Sequence, residues 1–177
     1  MAGFTGGDKL EAYLKGVERK LSEGKELRVG FLETAKYPDG TPVAQVAFWD
    51  EYGTSSSPPR PFFRKTIEGK GPGWGESLGK ALKATGYDAD KTLTIMGEGI
   101  KDQVVESIVN LSEPALSPTT VMLRGMRSNK PSLVVTGKTV GEAAQRVEDG
   151  KTNYGASDKP LIDTGVMQRS VDYDTKE

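Results

Sequence analysis

The chain contains no cysteine and no histidine. Without cysteine there is neither a disulfide nor a thiolate metal site. Without histidine the usual general base at neutral pH is missing, and so is the commonest nitrogen ligand for a metal. An excess of one charge is lacking too: 24 Lys and Arg against 25 Asp and Glu leave a net charge of −1. Such a balance gives no global electrostatic case for duplex DNA or an anionic membrane. No run of about 18 apolar residues occurs, and the first seven residues do not read as a signal peptide. The expectation is a protein made and kept in a cytoplasm. Glycine (22) and proline (10) are plentiful in 177 residues that are 35 % hydrophobic. That supports one modest core with much loop. One domain over 1–177 is expected, with a helical extension at 1–25 and a core at 26–177.

Periodicity predicts an α+β fold. Asp8 is placed to cap a first helix, with Glu11 closing a capping box. Leu10, Tyr13, Leu14, Val17 and Leu21 follow helical spacing until Gly24 ends it. Lys9, Lys15, Arg19 and Lys20 form its solvated face. Residues 27–32 read as an apolar strand, followed by Tyr37-Pro38-Asp39-Gly40, a turn with a mechanism: Pro38 presets φ, Asp39 bonds locally and Gly40 tolerates positive φ. A helix over 43–52 carries the rows 44/48/52 and 43/47, which predict one broad buried face. Gly53 sits where a left-handed residue ends a helix. The polar run 54–57 packs no core and is expected to be mobile, and Pro58-Pro59-Arg60-Pro61 stiffens the chain.

Further along, residues 62–67 begin a strand or a helical turn, 69–73 read as a break, and 74–84 as a weak helix. Asp88 or Asp90 caps the next helix, expected to be the longest, to Asn110. Its apolar stripe is Leu93, Met96, Ile100, Val104 and Ile108. Gly97 and Gly99 inside it mark either a weak point or close packing of another backbone. Ser117-Pro118 reads as a cap and first helical residue; that helix is expected to stop at Gly125. Residues 132–136 are a candidate strand, 139–148 a helix and 151–159 a polar loop. Asp163 or Thr164 caps one helical turn over 166–170. A terminal strand alternates Val171 and Tyr173 against Asp172 and Asp174. Together these predict a small, mainly antiparallel sheet with helices packed on one face.

Two stretches carry a resemblance. Asp50-Glu51-Tyr52-Gly53-Thr54, then Pro59-Arg60-Pro61-Phe62-Phe63-Arg64, resembles the signature of the tail-completion, or neck, proteins of long-tailed bacteriophages. Near the other end, Lys159-Pro160-Leu161-Ile162-Asp163-Thr164-Gly165 resembles that family's second signature, and residues 167–173 match its usual continuation. The resemblance implies a structural virion protein. It would form a homo-oligomeric ring at the head–tail connector, join or complete the tail, and pass DNA as cargo. The implied partners are itself, portal or connector proteins, and tail-tube or tail-terminator proteins; no cofactor, metal or membrane is implied. The alternatives are a tail-terminator or connector ring or, in a different class, a DNA-binding or DNA-processing protein.

Three motifs imitate chemistry. Asp163-Thr164-Gly165 matches the core of aspartic proteases, which need two carboxylates sharing a proton. The chain beyond Gly165 is too short for a protease lobe, so a helix cap is the expected role, with a contact between Asp163 and Arg124 or Arg127 as a further expectation. Gly137-Lys138-Thr139 imitates the end of a phosphate-binding loop, but Ser132 stands where that pattern needs glycine. Glu98, Asp102 and Glu106 share a helix face, with Glu113 beyond; as a metal site they would take Mg²⁺ or Ca²⁺. Solvated carboxylates explain the row better. No catalytic residue is assigned, and the expectation is that the protein is not an enzyme.

The strongest functional case is a clasp. Arg60, Phe62, Phe63 and Arg64 join two planar cations to two aromatics, the residue types enriched at interface hot spots. Trp49, Tyr52, Arg60, Pro61, Phe62, Phe63 and Arg64 are the candidate intersubunit residues. One of the two phenylalanines is expected to turn inward and one toward a neighbour. Gly53, Asp163, Thr164 and Gly165 are the candidate structural motif residues.

Overall fold

The structure, a computed structural model, describes residues 7–21, 25–151 and 155–176. The elements follow in the order α1 (Gly7–Leu21), β1 (Glu26–Phe31), α2 (Val43–Tyr52), α3 (Phe62–Ala84), α4 (Ala89–Asn110), α5 (Pro118–Asn129), α6 (Gly137–Glu148), α7 (Val166–Arg169) and β2 (Val171–Lys176). The fold is α+β, mostly helical, with a two-stranded antiparallel sheet. The Asp8 side chain, Gly24, the first six residues and residues 152–154 of the polar loop lie outside what is described.

β1 and β2 bring the two ends of the core together, with Phe31 opposite Val171, Val29 opposite Tyr173 and Leu27 opposite Thr175. Side chains alternate between faces, so the apolar set shares one face and packs toward α4. On the other face Glu26 stands opposite Lys176 and Arg28 opposite Asp174. Arg28 Nη2 donates to Glu26 Oε2 along the strand at 2.7 Å.

The sheet is smaller than the sequence predicts. Residues 62–67 open α3 rather than forming a strand. Thr66, buried, returns its hydroxyl to the Phe62 carbonyl at 2.8 Å, which holds the first turn. Residues 132–136 form no strand either. Thr136 is taken up as the N-cap of α6, in a reciprocal box with Thr139, and Leu133 N–H closes a turn onto the Lys130 carbonyl. That cap also starts α6 at Gly137, two residues earlier than expected.

The break expected at 69–73 does not occur. α3 runs through Pro72 and, at 23 residues, exceeds the 22 of α4. Proline removes one helical hydrogen bond, to the carbonyl four residues back, Glu68. Both residues are exposed, so the missing bond falls on the solvent side of the helix. The compensation is the antiparallel packing of α3 on α4, fastened where Trp74 Nε1 donates to Gln103 Oε1 at 2.8 Å. α5 likewise continues past Gly125, which is buried inside it. Asp88 caps α4 by accepting from Lys91 N–H, and Ser117 caps α5 through Thr120 N–H, both as expected. At α7 the N-cap is Gly165 at φ 73°, with no side-chain bond, so neither Asp163 nor Thr164 caps it.

The core comprises Val43, Ala47, Phe62, Val104, Ile108, Leu111, Leu161, Met167 and Val171. The two glycines of α4 differ. Gly97 is buried against Tyr173 of β2, and a Cβ there would stand 2.6 Å from the ring Cγ. The close partner is thus a side chain, not a backbone. Gly99 has nothing within 4 Å. Gly97→Ala is expected to cost about 1–3 kcal/mol by overpacking. Gly99→Ala should gain up to about 1 kcal/mol from helix propensity. Urea unfolding of the two variants checks this, and the reverse order would refute the packing assigned to Gly97.

Candidate functional site

Helix α2 builds the site, and its faces depart from the expected pattern. Val43, Ala47 and Glu51 form the buried row. The 44/48/52 row is exposed: Phe48 is 59 % and Tyr52 57 % accessible, with Trp49 beside them at 43 %. A carboxylate thus occupies the inward row, and aromatics the outward one.

The reason lies at the start of α3. The first N–H groups of a helix have no partner of their own and carry a partial positive charge. The residue before α3, Pro61, has no capping side chain. Glu51 supplies the cap from another helix. Its Oε2 accepts from Phe63 N–H at 2.9 Å, and its Oε1 from Arg64 N–H at 3.2 Å. Arg64 Nε also donates to Oε1 at 2.8 Å, and Arg64 Nη2 to the Glu51 carbonyl at 2.7 Å. A carboxylate with this many donors is stable at 4 % exposure. Arg64 then lies over the Tyr52 ring, 5.0 Å from its centroid, and Tyr52 leans on Phe48 at 4.8 Å. The exposed side is therefore one surface of two stacked rings and a guanidinium, flanked by Trp49.

The loop between α2 and α3 is tied down. Gly53, at φ 79° and ψ 174°, donates to the Trp49 carbonyl at 2.8 Å. A Cβ at Gly53 would lie 2.9 Å from both Ser57 O and Pro59 N, so only glycine fits. Thr54 and Ser57 close the polar turn onto each other. Arg60 N–H reaches the Asp50 carbonyl at 2.6 Å. The Arg60 side chain is buried, with Nε donating to the Pro114 carbonyl at 3.2 Å. Phe62 is fully buried, and Phe63, half-buried, stands edge-on to Phe31 at 5.9 Å. Of the seven candidate contact residues, Trp49, Tyr52 and Arg64 are exposed. Arg60 and Phe62 are turned into their own protomer, and Pro61 and Phe63 are half-buried.

The second quoted stretch meets the first across α5. Arg124 donates from Nη1 to the carbonyls of Lys159 (2.7 Å), Ile162 (3.1 Å) and Ser157 (3.3 Å), and from Nη2 to Pro160 (2.9 Å). One guanidinium thus replaces secondary structure for that loop. Asp163 lies 3.9 Å from Arg124 and 3.3 Å from Arg127, the pairing that takes it out of the capping role. Burial lowers the Arg124 guanidinium from its ordinary value, against the pull of Asp163. An open groove of about 510 Å³ joins the parts: Trp49 and Asp50 from α2, Arg124 and Arg127 from α5, then Asp163 and Thr164. Burial pushes the Asp50 carboxyl up to about 6, while Arg60 and Arg124 oppose the shift. Arg60 is spent on the Pro114 carbonyl and Arg124 on four carbonyls and Asp163, and Asp50 forms no ion pair among the described residues.

Glu51, Asp50 and Arg124 have the largest structural roles here, and sequence reasoning assigned none to the first two. The signal for Glu51 was its place four residues after Ala47 on the inward row. The acidic row of α4 stays separate: Glu98 pairs with Lys101 at 3.6 Å and Glu106 with Lys70 at 3.7 Å. Among the described residues no group of acids is arranged to hold a metal ion.

Glu51→Ala should destabilise the fold by roughly 3 kcal/mol, because two helix N–H groups and a guanidinium lose their acceptor. Glu51→Gln should recover about half of that. Denaturant unfolding measures both, and a loss below about 1 kcal/mol for the alanine would show that α3 is held by other means. Asp50 gives a pH test. Its value in the folded chain lies above the ordinary one, so the native state keeps a proton that the unfolded chain releases. That contribution is full below about pH 4 and is lost as pH rises through 6. Asp50→Asn should therefore be more stable than the wild type above pH 6, the gap closing on acidification. A gap that widened toward pH 4 would contradict the burial of this carboxyl.

No protein-family model, curated protein or solved structure matches the chain.

Proposed function

We propose that the chain is a structural protein of the neck of a long-tailed phage particle. Identical subunits form a ring that joins or completes the tail at the head–tail connector and lets DNA pass. The reading starts from the two stretches that resemble the tail-completion family. The observation that carries it further is the exposed surface of Phe48, Trp49, Tyr52 and Arg64, of which Tyr52 and Arg64 lie within the first of those stretches. Aromatics and arginine dominate interface hot spots, and this set is already ordered by Glu51, so little entropy is lost on docking. Partners are further copies of the chain, the portal or connector on one side and a tail-tube or tail-terminator protein on the other. The near-zero net charge suits a lumen through which DNA slides without tight phosphate contacts. No turnover is required, so no catalytic residue or cofactor is assigned. Among the described residues no helix is long and apolar enough to cross a membrane, in keeping with a place in the virion.

The double change Trp49→Ala, Tyr52→Ala tests it. Both side chains are exposed, so circular dichroism and thermal melting should stay close to wild type. Two hot-spot losses of about 2 kcal/mol each should weaken association by roughly 10²- to 10³-fold. Particles carrying the variant should appear in electron microscopy as filled heads and separate tails. A folded variant whose particles join normally would remove this surface from the reading.

A further inference from the structure

The sheet ends in an open edge. β1 pairs with β2 on one side, and among the described residues no strand or backbone hydrogen bond occupies the other. Every second residue of β1 therefore points an N–H and a carbonyl outward, a ready template for another strand. A two-stranded sheet is also a marginal structure by itself. Beside this edge lies a cavity of about 200 Å³, walled by Leu27 and Val29 of β1, Ile67 and Trp74 of α3, and Ile100 and Val104 of α4. No residue of β2 lines it, so it belongs to the β1 side of the sheet. A strand laid against β1 would place alternate side chains over this apolar space.

A segment with the matching chemistry occurs elsewhere in the chain. Residues 132–136, Ser-Leu-Val-Val-Thr, have strand composition but form no strand. Val134 is 70 % and Val135 51 % exposed. The N–H groups of Val134 and Val135 have no hydrogen-bond partner among the described residues. Exposed Lys130 and Lys138 flank the segment and exposed Glu33 lies just past the end of the open edge, while Glu26 at its start is already paired with Arg28 at 2.7 Å. Within its own protomer the segment is held between α5 and α6, which pack chiefly on each other.

We infer that residues 132–136 of one copy add as a third strand to the free edge of β1 in the next copy, seating a valine in the cavity between β1 and α3. The donor and acceptor patches differ, so the contact is head-to-tail and repeats from copy to copy. It deepens the ring reading and rests on it for the closure of successive copies. It also accounts for a strand-like segment and an unfinished sheet in one molecule.

The absence of cysteine makes a direct test clean. Full-length chain carrying Arg28→Cys is mixed with chain carrying Val134→Cys, and separately with Val135→Cys, since these two point to opposite faces. Under mild oxidation one of the two mixtures should give a covalent dimer in about fivefold or greater excess over a control pairing with Ser77→Cys. No excess in either mixture overturns the inference. So does a chain bearing both cysteines that closes only within itself. Val134→Pro removes a strand N–H and should weaken self-association about tenfold or more in sedimentation, with the helical circular dichroism unchanged. Unchanged association also overturns the inference. Imaging of particles decides the neck assignment independently. Cross-linked protein that is absent from the neck sinks that assignment alone, and a neck protein without the cross-link sinks the strand contact alone.

Discussion

The buried carboxylate of Glu51 is the constraint on which the rest of this molecule depends. It is drawn inward because α3 begins with N–H groups that no local side chain caps. Once it is there, three things follow. Residues 62–67 are committed to helix, because their first donors already have an acceptor. Arg64 is pulled across to α2, where it covers the Tyr52 ring. The row that would have carried Ala44, Phe48 and Tyr52 into the core is rotated out to solvent. An isolated buried charge is costly, and this one is tolerable because every close group around it is a donor.

A second constraint works at longer range. Arg124 gathers four carbonyls of the 157–162 segment, a stretch with no ladder or helix to satisfy them. That side chain holds the segment that leads into α7 and β2, whose Met167 and Val171 then seat in the core. The sheet is short, and its fit to α4 is close enough that Gly97 leaves room only for the Tyr173 ring. Local chain stiffness from the prolines, the Glu51 cap and the Arg124 latch together give a molecule whose order comes from a few polar anchors around a modest core.

These anchors also separate two kinds of surface. Arg60 and Phe62 are consumed within the protomer, whereas Trp49, Tyr52 and Arg64 face outward. A surface of rings backed by a rigid polar anchor is suited to repeated contact with copies of the same chain. The open edge of β1 is suited to it in a different way, through backbone donors and acceptors rather than side chains.

The elements governed by local chemistry were legible in the sequence. The turn at 37–40, the helix over 43–52, the caps at Asp88 and Ser117 and the alternation of the last strand all rest on neighbours within a few residues. Positive φ at Gly53 could be read for the same reason, since the helix before it had to end. What was not legible depended on partners far along the chain. Pro72 reads as a breaker until α4 supplies a flank that keeps α3 continuous. Residues 132–136 read as a strand, but within the protomer α6 claims Thr136 as its cap. Asp163 reads first as a cap, and although a contact with Arg124 or Arg127 is expected beside it, only folding shows that these arginines on another helix take its carboxylate. The inward turn of Glu51 is the plainest case, because periodicity ranks a residue by hydrophobicity and cannot see a helix start that needs an anion. The sequence by itself determined the fold class, most helix positions and the strand pairing partners' apolar faces, all set by short-range periodicity. Only the tertiary structure decided which polar groups are buried and which aromatics are bare, because burial of charge is settled by donors that folding brings from elsewhere in the chain.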